Sequence, residues 1–187
     1  MQELIQLDRQ IFQYINYEWK NSFFDLVMPF IRHSNFSIPL YVFLLVYALS
    51  NFSKNVLIWG IFAGVLIGIT NYVSSDLIKE NIFRLRPCND QTLIPPARLL
   101  LGYKPQSSSF TSSHATNHFA LAVYFFLTLR KNMGKYVLLF FVWSGVIIFA
   151  QVYVGVHFPG DVLSGAFVGS IFGYLVALIV NKYYSLA

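Results

Sequence analysis

Apolar residues fall in long runs along this chain, and polar residues gather in the short stretches between them. The runs cover 36–52, 55–75, 115–130, 136–154 and 162–181. They approach the roughly 20 residues that cross a hydrocarbon core, although the first and third need flanking residues to do so. Ahead of them, MQELIQLDRQIFQYINYEWK repeats Leu4, Ile5, Leu7, Ile11, Phe12 and Ile15 near helical period. That spacing predicts an amphipathic helix lying on the membrane or on the surface of the bundle. The pattern as a whole predicts an all-α, polytopic membrane helix bundle. Five helices span, or six if 22–33 enters the bilayer. Residues 1–35 form an N-terminal interfacial segment and residues 36–187 the transmembrane domain.

Composition points the same way. The chain is 56% hydrophobic and 11% charged, with a mean hydropathy of +0.57, where a soluble domain carries about a quarter charged residues. The N-terminus is not expected to act as a secretory signal. Cys88 is the only cysteine, which excludes an intrachain disulfide. The formal charge of +5 accompanies no nucleic-acid motif, so it is assigned to topology and lipid headgroups. Lys54, Arg130, Lys131, Lys135 and Lys182 fall at one end of the runs. The acids Glu3, Asp8, Glu18, Asp25, Asp76, Glu80, Asp90 and Asp161 fall at the other. Short basic loops stay cytoplasmic, so the 80–114 loop is expected outside the cytoplasm. Gly60, Gly64, Gly68 and Gly165, Gly169, Gly173 are each spaced four apart, and both stripes are expected to pack helices closely.

Three polar clusters remain that this pattern does not require: KENIFRLRP from Lys79, SSSFTSSHATNHF from Ser107, and AQVYVGVHFPGD from Ala150. On five spans all three reach one membrane face. Their chemistry suits an anion. Lys79 and Arg86 are cations at a membrane boundary, where an unpaired charge is costly and tends to be functional. Ser112, Ser113 and His114 open a helix, whose free N–H groups favour negative charge. His157 and Asp161 are one helical turn apart, so the carboxylate can orient the imidazole. Each has an ordinary reading too: a snorkelling cation, a serine cap, a loop histidine beside a capping aspartate.

Taken together and in order, Lys-x6-Arg-Pro, Ser-x-His and His-x3-Asp resemble the type 2 phosphatidic acid phosphatase superfamily of membrane lipid phosphatases over roughly residues 55–181. Lys79, Arg86 and Pro87 match the first motif in full. The second motif, usually Pro-Ser-Gly-His, is Thr111-Ser112-Ser113-His114 here. The third, usually Ser-Arg-x5-His-x3-Asp, keeps His157 and Asp161 but has Ala150 and Gln151 for Ser-Arg. The resemblance implies a cofactor-free and metal-independent hydrolysis of a lipid phosphate at the bilayer. In it His157 is the nucleophile, Asp161 its orienting partner and His114 the acid and base. Lys79, Arg86, Ser112, Ser113 and Gln151 bind the phosphoryl oxygens. His118, one turn after His114, is expected to pack or to support it.

The arginine missing at position 151 leaves three possibilities: Gln151 donates to phosphate, Arg84, Arg98 or Lys104 stands in, or the chemistry is weakened. The resemblance implies polyprenyl (undecaprenyl) diphosphate, a lipid A phosphate, or phosphatidic acid and phosphatidylglycerol phosphate as substrates. It also implies a bacterial inner-membrane location with the site facing the periplasm. Lipid-to-lipid phosphotransfer and lipid binding without chemistry are the alternatives. A metal held by His114, His157 and Asp161 is disfavoured by the cations around them. Oligomeric state is not encoded in any motif.

Overall fold

The computed structural model describes every residue except Met1, Ser53, Ser185 and Ala187, and the side chain of Ser34; the 51–55 turn is therefore described only in part. Helix α1 (Gln2–Gln13) continues through a wide π turn at Tyr14–Glu18 and is followed by α2 (Ser22–Ile31) and α3 (Ile38–Asn51). Helix α4 (Val56–Tyr72) passes through a second π turn, Val73–Ile78, into the short α5 (Lys79–Asn81). A long loop leads to α6 (Ser113–Met133), α7 (Leu139–Tyr153) and α8 (Pro159–Tyr183). No strand occurs among the described residues.

Among the described residues three helical runs are long and apolar enough to cross a membrane: Val56–Asn81, Ser113–Tyr153 and Pro159–Tyr183. The second, 41 residues long, doubles back on itself. Gly134 takes φ +53°, a left-handed conformation that glycine reaches without strain. Phe125 then packs on Phe140, and Ser144 Oγ donates to the His118 carbonyl at 3.0 Å, so α6 and α7 run antiparallel. Helices Ser22–Ile31 and Asn35–Asn51 together would make a fourth span, but they meet at 81°. The stretch 22–33 therefore does not continue the helix after it. Leu57, Ile61 and Phe167 lie exposed on the outside of the bundle, as lipid-facing side chains of an integral membrane protein do.

The two glycine stripes have different fates. Helices α6 and α8 run parallel and in close contact. A Cβ at Gly169 would drive into the backbone of Thr116, and one at Gly173 into that of Ala120. At Gly60, Gly64 and Gly68 a Cβ would meet nothing within 4 Å among the described residues, so within this chain the stripe does not pack a helix closely. Helix α4 instead joins α6 through polar contacts. Trp59 Nε1 donates to Thr128 Oγ1 at 3.0 Å, Tyr124 donates to the Trp59 carbonyl at 2.9 Å, and Thr70 Oγ1 donates to Asn117 Oδ1 at 2.8 Å. These interhelical bonds satisfy groups that lipid cannot.

Helix α1 packs against the start of α8. Phe12 is buried with its ring 5.3 Å from that of Phe158. Asn16 is buried too and donates to the carbonyls of Arg98 and Tyr153 at 2.9 and 2.7 Å. Leu4, Ile5, Leu7 and Ile11 remain exposed.

Candidate active site

The turn between α7 and α8 presents the last of the three clusters. Gly155, at φ +89°, lets the chain reverse where a Cβ would strike the Arg98 carbonyl. Phe158 caps α8 and Pro159 fills its first turn, where a missing N–H costs nothing. Asp161, at the third position of α8, accepts the Phe158 N–H at 2.9 Å. This carboxylate is fully buried, and a buried charge must be satisfied. Two more donors do so: Arg84 Nη1 at 2.6 Å and Ser109 Oγ at 2.5 Å.

His157 Nδ1 lies 3.7 Å from Asp161 Oδ2 and 3.4 Å from Ser109 Oγ. The first distance is too long for a hydrogen bond. Ser109 therefore bridges the two residues, a role that no sequence motif marked. On the other side of the ring, Arg86 Nη1 is 3.2 Å from His157 Nε2. A guanidinium only donates, so Nε2 carries the lone pair and Nδ1 the proton. Burial holds His157 neutral, with its pKa lowered to about 4, and the positive charges of Arg86 and Lys79 act in the same direction.

Arg86 is itself fixed by the long loop. Its Nε donates to the Ser107 carbonyl at 2.8 Å, its Nη1 to the Val156 carbonyl at 3.1 Å, and its Nη2 to Ser107 Oγ at 3.0 Å. Lys79 has no hydrogen bond or ion pair among the described residues, yet lies within electrostatic reach of Arg86, Asp161 and His157. His114 lies within electrostatic reach of Arg32, His118, His157 and Lys79. Ser112 is buried and caps α6, accepting the Ala115 N–H at 3.4 Å, while Ser113 pairs with Ser75 at 2.9 Å. His118 hydrogen-bonds Tyr41 at 3.3 Å and lies within electrostatic reach of His114.

The three cations proposed as stand-ins at position 151 are placed elsewhere. Arg84 is paired with Asp8 at 2.5 Å as well as with Asp161. Arg98 is paired with Asp25 at 2.6 Å and lies over the Tyr153 ring. Lys104 is exposed on the long loop. None of them hydrogen-bonds Gln151 among the described residues. The cation that does is Arg32, whose Nε donates to Gln151 Oε1 at 3.2 Å. Sequence reasoning did not single it out. The available signal was a lone arginine closing SFFDLVMPFI. Among the described residues no three His, Cys, Asp or Glu side chains are grouped to hold a metal ion.

A pair of histidines, a buried aspartate and several cations at one end of an apolar helix bundle suit the hydrolysis of a phosphate ester. The chain belongs to the PAP2 superfamily of lipid phosphatases, whose profile matches residues 59–185. It is similar to the lipid A 4'-phosphatase of Bacteroides thetaiotaomicron, with 27% identity over 182 residues, 96% of this chain and 79% of that protein. The lipid A 4'-phosphatase of Porphyromonas gingivalis is 26% identical over 181 residues, 94% of this chain and 74% of that one. Among solved structures, a PAP2-type phosphatidylglycerolphosphate phosphatase from Bacillus subtilis superposes with a TM-score of 0.76 at 22% identity, covering 100% of this chain and 90% of that one. LpxE from Aquifex aeolicus superposes at 0.59 and 22% identity, covering 89% and 92%.

Proposed function

We propose that this chain removes a phosphate monoester from a lipid A-type glycolipid, through a phosphohistidine on His157, at the periplasmic face of a bacterial inner membrane. Residues 1–35 lie along that face against the transmembrane domain formed by 36–187. The observation that carries the chemistry is the Arg86 N–H on His157 Nε2, which leaves that nitrogen its lone pair. The choice of lipid rests on similarity to two lipid A 4'-phosphatases along nearly the whole chain.

In this reading Nε2 attacks phosphorus and the bond from phosphorus to the lipid oxygen breaks. His114 delivers its proton to that oxygen. The neutral His114 then takes a proton from water, and the hydroxide displaces Nε2 and releases inorganic phosphate. Lys79, Arg86 and the N–H groups opening α6 around Ser112 and Ser113 hold the phosphoryl oxygens, where developing charge is stabilised most effectively by fixed donors. The Asp161–Ser109 pair keeps the proton on Nδ1.

The test is phosphate release by the purified chain in detergent with EDTA present. The panel is lipid A, phosphatidic acid, phosphatidylglycerol phosphate and a polyprenyl diphosphate, with His157→Ala as the blank. Preferential release from lipid A, absent in the blank, is expected. Preference for another lipid overturns the substrate, transfer of phosphate to an acceptor lipid overturns hydrolysis, and activity retained by the blank overturns the phosphohistidine.

A further inference from the structure

We propose that Arg32, on the N-terminal segment outside the matched family region, is the phosphoryl-oxygen ligand that replaces the arginine missing at position 151. Gln151 acts as its holder. The assignment rests on the phosphatase reading above for the identity of the anion, a phosphoryl group.

Four observations carry it. First, Gln151 is fully buried, and its amide orientation is set by Arg32, because Nε can only donate and so requires Oε1. Second, this fixes the carbonyl end of Gln151 on Arg32 and leaves Nε2 buried with no hydrogen-bond partner among the described residues. An unsatisfied buried donor is rare in the absence of a ligand to complete it. Third, the guanidinium uses Nε for Gln151 and Nη1 for the Tyr103 hydroxyl at 3.3 Å, and Nη2 has no hydrogen bond among the described residues. Nη2, one prong of the fork that matches phosphate oxygens, is therefore the part left over. Fourth, Arg32 lies within electrostatic reach of His114 and Arg86. Neither Arg32, Arg86 nor Lys79 has a carboxylate partner among the described residues. Arg84 and Arg98, by contrast, are each neutralised by aspartates.

Cations that converge without a directly paired carboxylate repel one another. An anion between them removes that cost. Gln151 also explains why the exchange is tolerated: a second guanidinium at 151 would oppose Arg32, while a neutral amide accepts from it. The charge is conserved at the site although it comes from a residue 119 positions away along the chain.

The experiment measures two quantities on the full chain in detergent: phosphate release from the best lipid of the panel, and binding of orthovanadate, a phosphoryl mimic, by calorimetry. Arg32→Ala is expected to lower kcat/KM by roughly 30- to several-thousand-fold, the usual effect of losing a charged ligand to a buried anion. It is also expected to weaken vanadate binding by at least about tenfold. Lys104→Ala, an exposed cation on the loop, is expected to change neither. The deciding variant moves the charge: Arg32→Gln with Gln151→Arg is expected to recover at least tenfold over Arg32→Gln alone. A misfolded protein cannot give that recovery. Unchanged vanadate binding and turnover in Arg32→Ala overturns the proposal, as does wild-type protein that binds no vanadate. Arg32-dependent vanadate binding with no release from any lipid would leave Arg32 standing and overturn the phosphatase reading.

Discussion

Asp8 offers a direct test of how firmly the N-terminal helix is built into the site. Its Oδ2 pairs with Arg84 Nη2 at 2.5 Å, and its Oδ1 accepts the Gly160 N–H at 2.7 Å. Arg84 passes the connection on to Asp161 at 2.6 Å. Both ends of the Asp8–Arg84 pair are largely covered, with side-chain exposures of 13% and 26%, so solvent screening is partial. A hydrogen bond to a charged group contributes about 1.5–3 kcal/mol. A carboxylate at a helix start adds about 0.3–1 kcal/mol. Asp8→Ala should therefore cost about 3 kcal/mol, or roughly 6–12 °C in Tm for a chain of this size. Asp8→Asn should cost most of that, because an amide can still accept from Gly160 but cannot pair with the guanidinium. Turnover, read well below Tm, should fall as Arg84 loosens its hold on Asp161. Thermal unfolding in detergent with a thiol dye on Cys88 or intrinsic fluorescence reads the first effect, and phosphate release the second. A Tm within about 2 °C of wild type for Asp8→Ala would refute the reasoning. It would mean that α1 is held by its apolar face alone.

Other substitutions probe the remaining contacts. Gly169→Ala should destabilise by about 1–3 kcal/mol or more through overpacking against Thr116, whereas Gly64→Ala, facing open space, should be neutral or slightly stabilising; equal Tm values for the two would contradict the close parallel packing of α6 and α8. Ser109→Ala removes the 2.5 Å bond to Asp161 and should lower kcat about 10- to 100-fold with KM little changed, from a loss of about 1.5–3 kcal/mol; a change in KM alone would place Ser109 in binding and not in orienting His157. The folded chain keeps His157 neutral, with its pKa lowered by burial from 6.5 to about 4. The unfolded chain binds that proton first, so stability falls as pH drops from about 6.5 towards 4, by about 3 kcal/mol from this group. The Tm difference between wild type and His157→Gln should therefore move against wild type over that window, and a pH-independent difference would show that His157 is not held neutral.

The parts of this protein that were legible in the sequence are those written locally. The apolar runs announced helices because lipid demands internally satisfied backbone. His157 and Asp161 could be paired because they lie four residues apart at a helix start. Spacing alone could not separate the two glycine stripes: Gly165, Gly169 and Gly173 meet a neighbouring backbone, while Gly60, Gly64 and Gly68 meet nothing. The cations were harder still. Arg84, Arg98 and Lys104 all sat near the right face, and their usefulness depended on what neutralised them. Asp8 and Asp25, which pair with the first two, come from a segment with no motif. Arg32 and Ser109 were invisible for the same reason: each acts on a residue that it meets only in the folded chain. A motif records which residue types occupy its own positions, whereas a phosphate responds to the charge that reaches it. Gln151 is where these two come apart. A lost arginine at one position and a gained arginine far away in the chain are electrostatically one change, and only the fold puts them side by side.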